Sequence, residues 1–233
     1  MKTNVQTTRR GFTLVELLVV IVIIASLAGL TAPMVIRQRK KADQTEATSN
    51  ARQIGFAMFE FETEYGTFPD ADTEAEVLNE KGFTLGSGSS NAFFRQLFAA
   101  DITQSETMFY AKSAYSRTKP DGNIQPASCL EPGEVGFAYL MDGTAGLSTA
   151  GNPARVIVAA PLLTGGTDFD PDPYDSKAVV LRIDNSVTSL TINSENQAVL
   201  TKDGQNSKTL TETGNDTVWG SGTTAVTIVP PAS

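Results

Sequence analysis

Glu16 is the one acid in "GFTLVELLVVIVIIASLAGLTAP", residues 11–33, a run otherwise built from apolar and small residues. A carboxylate at the centre of a bilayer costs about 2.5–3.5 kcal/mol on insertion scales, so an acid kept in such a run has a partner or a task. A second group of acids, Asp168, Asp170, Asp172 and Asp175 in "TDFDPDPYDSK", has the close spacing that suits an oxygen-ligated cation such as calcium. The calcium-loop pattern of a helix–loop–helix hand fails there, because its sixth position would be Pro173 rather than Gly and its twelfth Val179 rather than Glu. An acidic, proline-stiffened loop is the alternative reading.

What the chain lacks narrows its chemistry. It has no histidine, which removes the commonest general base, the commonest transition-metal ligand and any Ser-His-Asp or Cys-His arrangement. Cys129 is its one cysteine, so no intrachain disulfide and no C-x-x-C motif can form. No carboxylate pair or Ser-Lys dyad stands out, and the expectation is a protein that is not an enzyme. The 26 acidic and 18 basic residues leave a net charge of −8. Phosphate binding needs clustered Lys and Arg, so nucleic acid is not an expected partner.

The element that must position Glu16 is an apolar helix. Residues 12–36 are apolar or small apart from Glu16 and a few Ser and Thr, and at about 1.5 Å per residue they exceed a hydrocarbon core of about 30 Å. Ahead of them lies the leader MKTNVQTTRRG, with Lys2, Arg9 and Arg10 and no acid. A secretory signal cut after Leu30-Thr31-Ala32 is one reading of this segment, and a twin-arginine signal built on Arg9-Arg10 is another. Neither has a use for Glu16. Charge counting leaves the orientation open, because the leader's three cations face four in Arg37-Gln38-Arg39-Lys40-Lys41 across the span. That basic run reads as a lipid-headgroup contact, a partner for acidic neighbours or a solvated stretch.

Gly11-Phe12-Thr13-Leu14-Val15-Glu16, preceded by Arg9-Arg10 and followed by the apolar helix, resembles the class III signal of type IV pilins and type II secretion pseudopilins. The resemblance implies that a prepilin peptidase cuts after Gly11 and methylates the new amino group of Phe12, leaving Glu16 as the fifth residue. It implies a leader in the cytoplasm, a single pass through the inner membrane and a head in the periplasm. It also implies polymerisation with copies of itself or other pilins through an inner-membrane assembly platform, into a periplasmic or extracellular filament. In this reading Glu16 pairs with the amino terminus of a neighbouring subunit. An intrahelical contact with Phe12, four residues away on one face, is the alternative role. Pro33 lacks the N–H that would bond to Gly29, so a kink or melted turn is expected near "AGLTAP", as a tolerated bend or as an assembly device.

The periodicity runs on beyond the membrane. Ala47, Ala51, Ile54, Met58, Phe61 and Tyr65 recur at spacings of four and three, which predicts an amphipathic helix that ends near Tyr65 at Gly66 and packs on a sheet. "TEYGTFPD" then resembles the segment after the long helix of G-type pseudopilins, the closest family members in general form. Short helices are predicted over 74–81, closed by Gly82, and over 91–100. "VGFAYLM", "RVIVAAPL", "KAVVLRI", "SVTSLTI" and "TAVTIV" predict antiparallel strands, with a tight hairpin at Asp184-Asn185.

The expected fold class is therefore α+β and pilin-like, with a long N-terminal helix packed on a C-terminal antiparallel sheet. Its expected parts are a cleaved leader (1–11), a transmembrane half-helix (12–36), a periplasmic amphipathic half-helix (37–66) and a globular head (67–233). A membrane-anchored or twin-arginine-exported periplasmic binding domain that never polymerises is the competing function. No cofactor is expected beyond the calcium candidate. The head is longer than that of a compact G-type pseudopilin and has no cysteine pair to close a C-terminal loop.

Overall fold

The protein is described from a computed structural model covering residues 12–81, 88–203, 206–223 and 225–233. Gly11 with its leader, and Gly82 as a helix stop, lie outside these residues. The chain forms two compact units, Met1–Arg39 and Lys40–Ser233. The first helix, α1 (Leu14–Tyr65), contributes to both.

In the first unit the apolar side chains of α1 are exposed all round the helix, from Leu14 to Ile36. A helix apolar on every face belongs in a bilayer rather than on a core, and this one is long and apolar enough to cross a membrane. Its polar side chains are satisfied within the helix: Ser26 donates to the Val22 carbonyl at 2.8 Å and Thr31 to that of Leu27 at 3.1 Å. The melted turn expected near Pro33 is absent, and the backbone stays helical through Gly29 and Pro33. A proline removes one N–H bond, and the helix formers on either side carry the remainder.

The second unit is built on the later part of α1. Ala47, Ala51, Ile54, Met58 and Phe61 are fully buried, and Tyr65 stacks on Phe61 with ring centroids 4.5 Å apart. Gly55 lets the helix approach the sheet closely, since a Cβ there would collide with the Asn185 side chain. Gly66, at φ +83°, takes the left-handed conformation that ends the helix, and its N–H bonds to the Glu62 carbonyl at 2.7 Å. The second helix, α2 (Ala71–Lys81), starts three residues before the expected position. Asp70 caps it, accepting from the Asp72 and Thr73 amides while Thr73 returns a bond to the Asp70 N–H. The third, α3 (Ser90–Ala99), is capped by Ser89 and buries Phe93, Phe94, Leu97 and Phe98.

Seven antiparallel strands follow: β1 (Ala138–Asp142), β2 (Val156–Ala160), β3 (Lys177–Arg182), β4 (Val187–Ile192), β5 (Ala198–Asp203), β6 (Asn206–Thr209) and β7 (Val226–Val229). Their order is β6-β5-β4-β3-β2-β1-β7, a meander whose last strand returns beside the first. The five strand-like runs in the sequence are β1 to β4 and β7. The β3–β4 hairpin turns at Asp184-Asn185, with Asn185 at φ +62°. The α+β, pilin-like arrangement of a long apolar N-terminal helix and a C-terminal antiparallel sheet is thus present. The strap from β6 to β7 is held by Trp219, which is buried and donates its indole N–H to the Leu210 carbonyl at 2.6 Å. Arg155, just ahead of β2, holds the same strap by donating to the Trp219 carbonyl at 2.7 Å.

Gly136 offers a test of how tightly the head is packed. A Cβ there would collide with the backbone carbonyl of Ala111, and backbone cannot swing aside as a side chain can. Gly136→Ala is expected to cost about 1–3 kcal/mol by overpacking, with a fall of about 2–4 °C in Tm per kcal/mol for a domain of this size. A melt of the detergent-solubilised chain checks it; an unchanged Tm would contradict the close approach.

Candidate functional site

Glu16 lies in the first turn of α1, and Thr13 is the residue that holds it. Glu16 Oε2 accepts the Thr13 backbone N–H at 2.8 Å and its hydroxyl at 2.7 Å, while the Glu16 N–H donates back to Thr13 Oγ1 at 3.3 Å. Leu17 N–H closes the first helical bond on the Thr13 carbonyl. This is a capping box, in which a Thr and the Glu three residues on satisfy each other's orphan amides at a helix start. Its signal, Thr-x-x-Glu, is present in the sequence, yet the intrahelical partner expected from four-residue spacing was Phe12. Phe12 instead precedes the helix and is exposed.

The cap leaves the carboxylate half engaged. Oε2 takes both Thr13 bonds, and Oε1 accepts none among the described residues. A helix N-terminus also favours negative charge. The site is therefore a preoriented carboxylate with one open oxygen, on a helix whose own side chains are apolar on every face. Away from water, such a group accepts a cationic donor strongly, because low dielectric magnifies the attraction.

The four aspartates singled out in the sequence do not form a common site. Asp172 accepts from Lys40 Nζ at 2.7 Å, so one cation of the basic run finds an acidic neighbour. Asp170 caps a turn by accepting the Asp172 amide, and Asp175 with Ser176 adopts positive φ. Among the described residues, the acids whose oxygens converge within 4.8 Å of one another are Glu106, Asp121 and Glu134, not the Asp168–Asp175 set. Two of these are occupied in bracing a long irregular segment. Glu106 accepts the Leu130 and Gly122 amides, and Glu134 accepts those of Asp121 and Glu131. Sequence spacing holds no signal for this grouping, since the residues meet only through folding. Cys129, beside them, is buried, and burial pushes its thiol up to about 12, which keeps it neutral and unreactive.

Burial pushes the Glu106 carboxyl above its ordinary value of 4.5; the charges of Glu134 and Asp121 add to this, and the two amide donors oppose it. A carboxyl with a raised folded-state pKa binds its proton more tightly folded than unfolded. Its contribution to stability is therefore present in acid and lost as pH rises from 4.5 through the raised value. The Tm difference between the parent and Glu106→Gln is expected to shift against the parent over that rise. A difference that stays constant with pH would show that Glu106 titrates normally.

Residues 7–32 match the family model described as the prokaryotic N-terminal methylation motif. The chain is similar to type IV major pilin protein PilA of Myxococcus xanthus, with 34% identity over 92 residues, 40% of this chain and 39% of that protein. It is similar to type II secretion system core protein G of Aeromonas hydrophila, with 28% identity over 143 residues, 58% of this chain and 85% of that protein. The protein of the same name from Escherichia coli shares 36% over 72 residues, 31% of this chain and 50% of its own length. The alignments with the pilin and with the Escherichia coli protein thus span half or less of those relatives. No solved structure matches the chain. The resemblance read from residues 9–36, to type IV pilins and type II secretion pseudopilins, is borne out by these matches.

Proposed function

We propose that this chain, which carries the methylation motif of the type IV pilins and pseudopilins, is a structural subunit of a type IV pilus or a type II secretion pseudopilus-like filament. The observation that carries the reading is Glu16: a capped carboxylate with an open oxygen, fixed at the start of an exposed apolar helix and inside the matched motif. A prepilin peptidase removes residues 1–11 by cutting after Gly11, and the new amino group of Phe12 is methylated. Cleavage turns an amide nitrogen into an ammonium group, which methylation leaves charged.

In a filament, the ammonium of one subunit meets the open oxygen of Glu16 in another, and each removes the other's cost of burial. Thr13 keeps the carboxylate oriented for that meeting and lowers its cost while the subunit waits in the membrane. Before assembly the chain crosses the inner membrane once through residues 12–36, with the half-helix 37–66 and the head 67–233 in the periplasm. After assembly the helices bundle in the core of a periplasmic or extracellular filament, with Pro33 at the weakest turn of the bundled helix. The partners are the prepilin peptidase, the inner-membrane assembly platform and other pilin subunits. Polymerisation, rather than catalysis, is the activity.

Immunogold labelling of the head on filaments sheared from the source cell tests the reading. Labelled filaments are expected, and they should vanish when the prepilin peptidase is deleted. A chain found in no filament, neither in the sheared fraction nor in one released from the opened envelope, in either strain would favour the non-polymerising binding domain.

A further inference from the structure

Past residue 36, the side of α1 that the head leaves uncovered carries one large apolar side chain. Phe56 is 65% exposed, whereas Ala51, Ile54, Met58 and Phe61 on the other side of the helix are buried. A lone exposed ring is ordinary on a protein surface, and its neighbours decide whether it means more. One turn before it stands Arg52 and one turn after it Glu60, both exposed and in the same four-residue row.

Neither charge has a partner. Among the described residues Arg52 and Glu60 make no hydrogen bond and no ion pair. Their own helix offers none, because the residues three and four away from Arg52 are Thr48, Ser49, Gly55 and Phe56, and those from Glu60 are Phe56, Ala57, Thr63 and Glu64. Arg52 and Glu60 lie about 12 Å apart along the axis, with Phe56 between them. The charges of α1 that reach the head are engaged, by contrast: Lys40 with Asp172, Asp43 with Lys112 and Glu62 with Thr149.

A second copy of this helix supplies what is missing. Two copies side by side, pointing one way and at the same level, would set Arg52 against Arg52 and Glu60 against Glu60. A displacement of about two turns, or about 12 Å, brings Arg52 of one copy level with Glu60 of the other. The pair then lies between two rings, Phe56 of one copy a turn above it and Phe56 of the other a turn below, which keep water away. Thr45 and Ser49 on the same face are exposed and small, so the second helix can come close. Glu60 of the first copy and Arg52 of the second stay open for further copies, so the contact repeats without closing, as a filament requires.

We infer that Arg52, Phe56 and Glu60 form the surface on which a second copy of this chain docks, with Arg52 of one copy paired to Glu60 of the next. This rests on the filament reading and adds to it a register between neighbouring subunits.

Crosslinking tests the contact without needing filaments. The parent is co-expressed with a chain carrying Arg52→Lys and Glu60→Gln, and envelope membranes are treated with a carbodiimide, which joins an amine to a carboxylate that it touches. The substituted chain has no acid at position 60, so a link between positions 52 and 60 can only join two copies. That link is expected in the peptide map of the crosslinked dimer. In sheared filaments Arg52→Glu and Glu60→Arg are each expected to fall about tenfold or more, and the chain carrying both exchanges to return close to the parental level, because the pair is restored with its signs reversed. Phe56→Ala is expected to fall as well. All four variants should melt like the parent, since the three side chains are exposed. A link without filaments from the parent keeps the docking surface and overturns the filament reading. Filaments without the link, single exchanges that assemble like the parent, or a double exchange no better than either single one overturn the docking surface.

Discussion

Glu16→Val chains are expected in the membrane fraction, trimmed of their leader, and absent from sheared filaments. The substitution takes a charge out of the apolar segment and so adds no insertion cost, and the variant enters the bilayer at least as well as the parent. With the cut proposed between Gly11 and Phe12, outside the changed side chain, cleavage is expected to proceed. What the variant loses within its own chain is the capping box with Thr13. Loss of a cap costs about 0.5–2 kcal/mol, which frays a first turn and cannot undo a helix of 52 residues. A large loss of incorporation therefore has to come from the neighbour's ammonium. Glu16→Gln sharpens the result: its amide oxygen can still accept from Thr13, but the charge is gone, so it too should fail to enter filaments. Incorporation of either variant at the parental level would make Glu16 a helix cap and nothing more.

Gly11→Val is expected to have an equally complete effect on processing. A peptidase acting at the Gly11–Phe12 bond must bring its catalytic groups against the backbone, and only a residue without a Cβ gives that access. The variant should keep residues 1–11, remain in the inner membrane and supply no filament subunits. Retention blocks assembly for a chemical reason, since without cleavage Phe12 presents an amide and no cation forms for Glu16 to meet. A gel of membrane and filament fractions reads both consequences. Normal leader loss would move the cut elsewhere.

The site's main elements were legible because each rests on a local pattern. An acid in an apolar run, a glycine ahead of it and cations before that are visible without knowing the fold. So were the stripe from Ala47 to Phe61, the stop at Gly66 and the strands rich in Val and Ile. The missed elements show where local pattern ends. Strand β6, Asn206–Thr209, contains no apolar residue and is a strand only because β5 offers it a ladder. Strand β5 mixes Ala, Lys and Asp with its apolar residues and sits beside that weak edge. The early start of α2 comes from the cap between Asp70 and Thr73, a local signal that was present and passed over. Thr13 is the same kind of miss: periodicity pointed four residues back from Glu16, whereas capping geometry uses three. The convergence of Glu106 with Glu134 depends on tertiary folding, and no spacing could disclose it.

The central claim is that this chain is matured at Gly11–Phe12 and built into a filament as the mature form. The intact mass of the chain recovered from sheared filaments tests it most directly, because a single spectrum reports cleavage, methylation and incorporation together. The predicted result is one species that begins at Phe12, runs to the C-terminus and carries one methyl group on its amino nitrogen. A chain in filaments that retains residues 1–11, or one cut after Ala32 and released without its apolar helix, would contradict it.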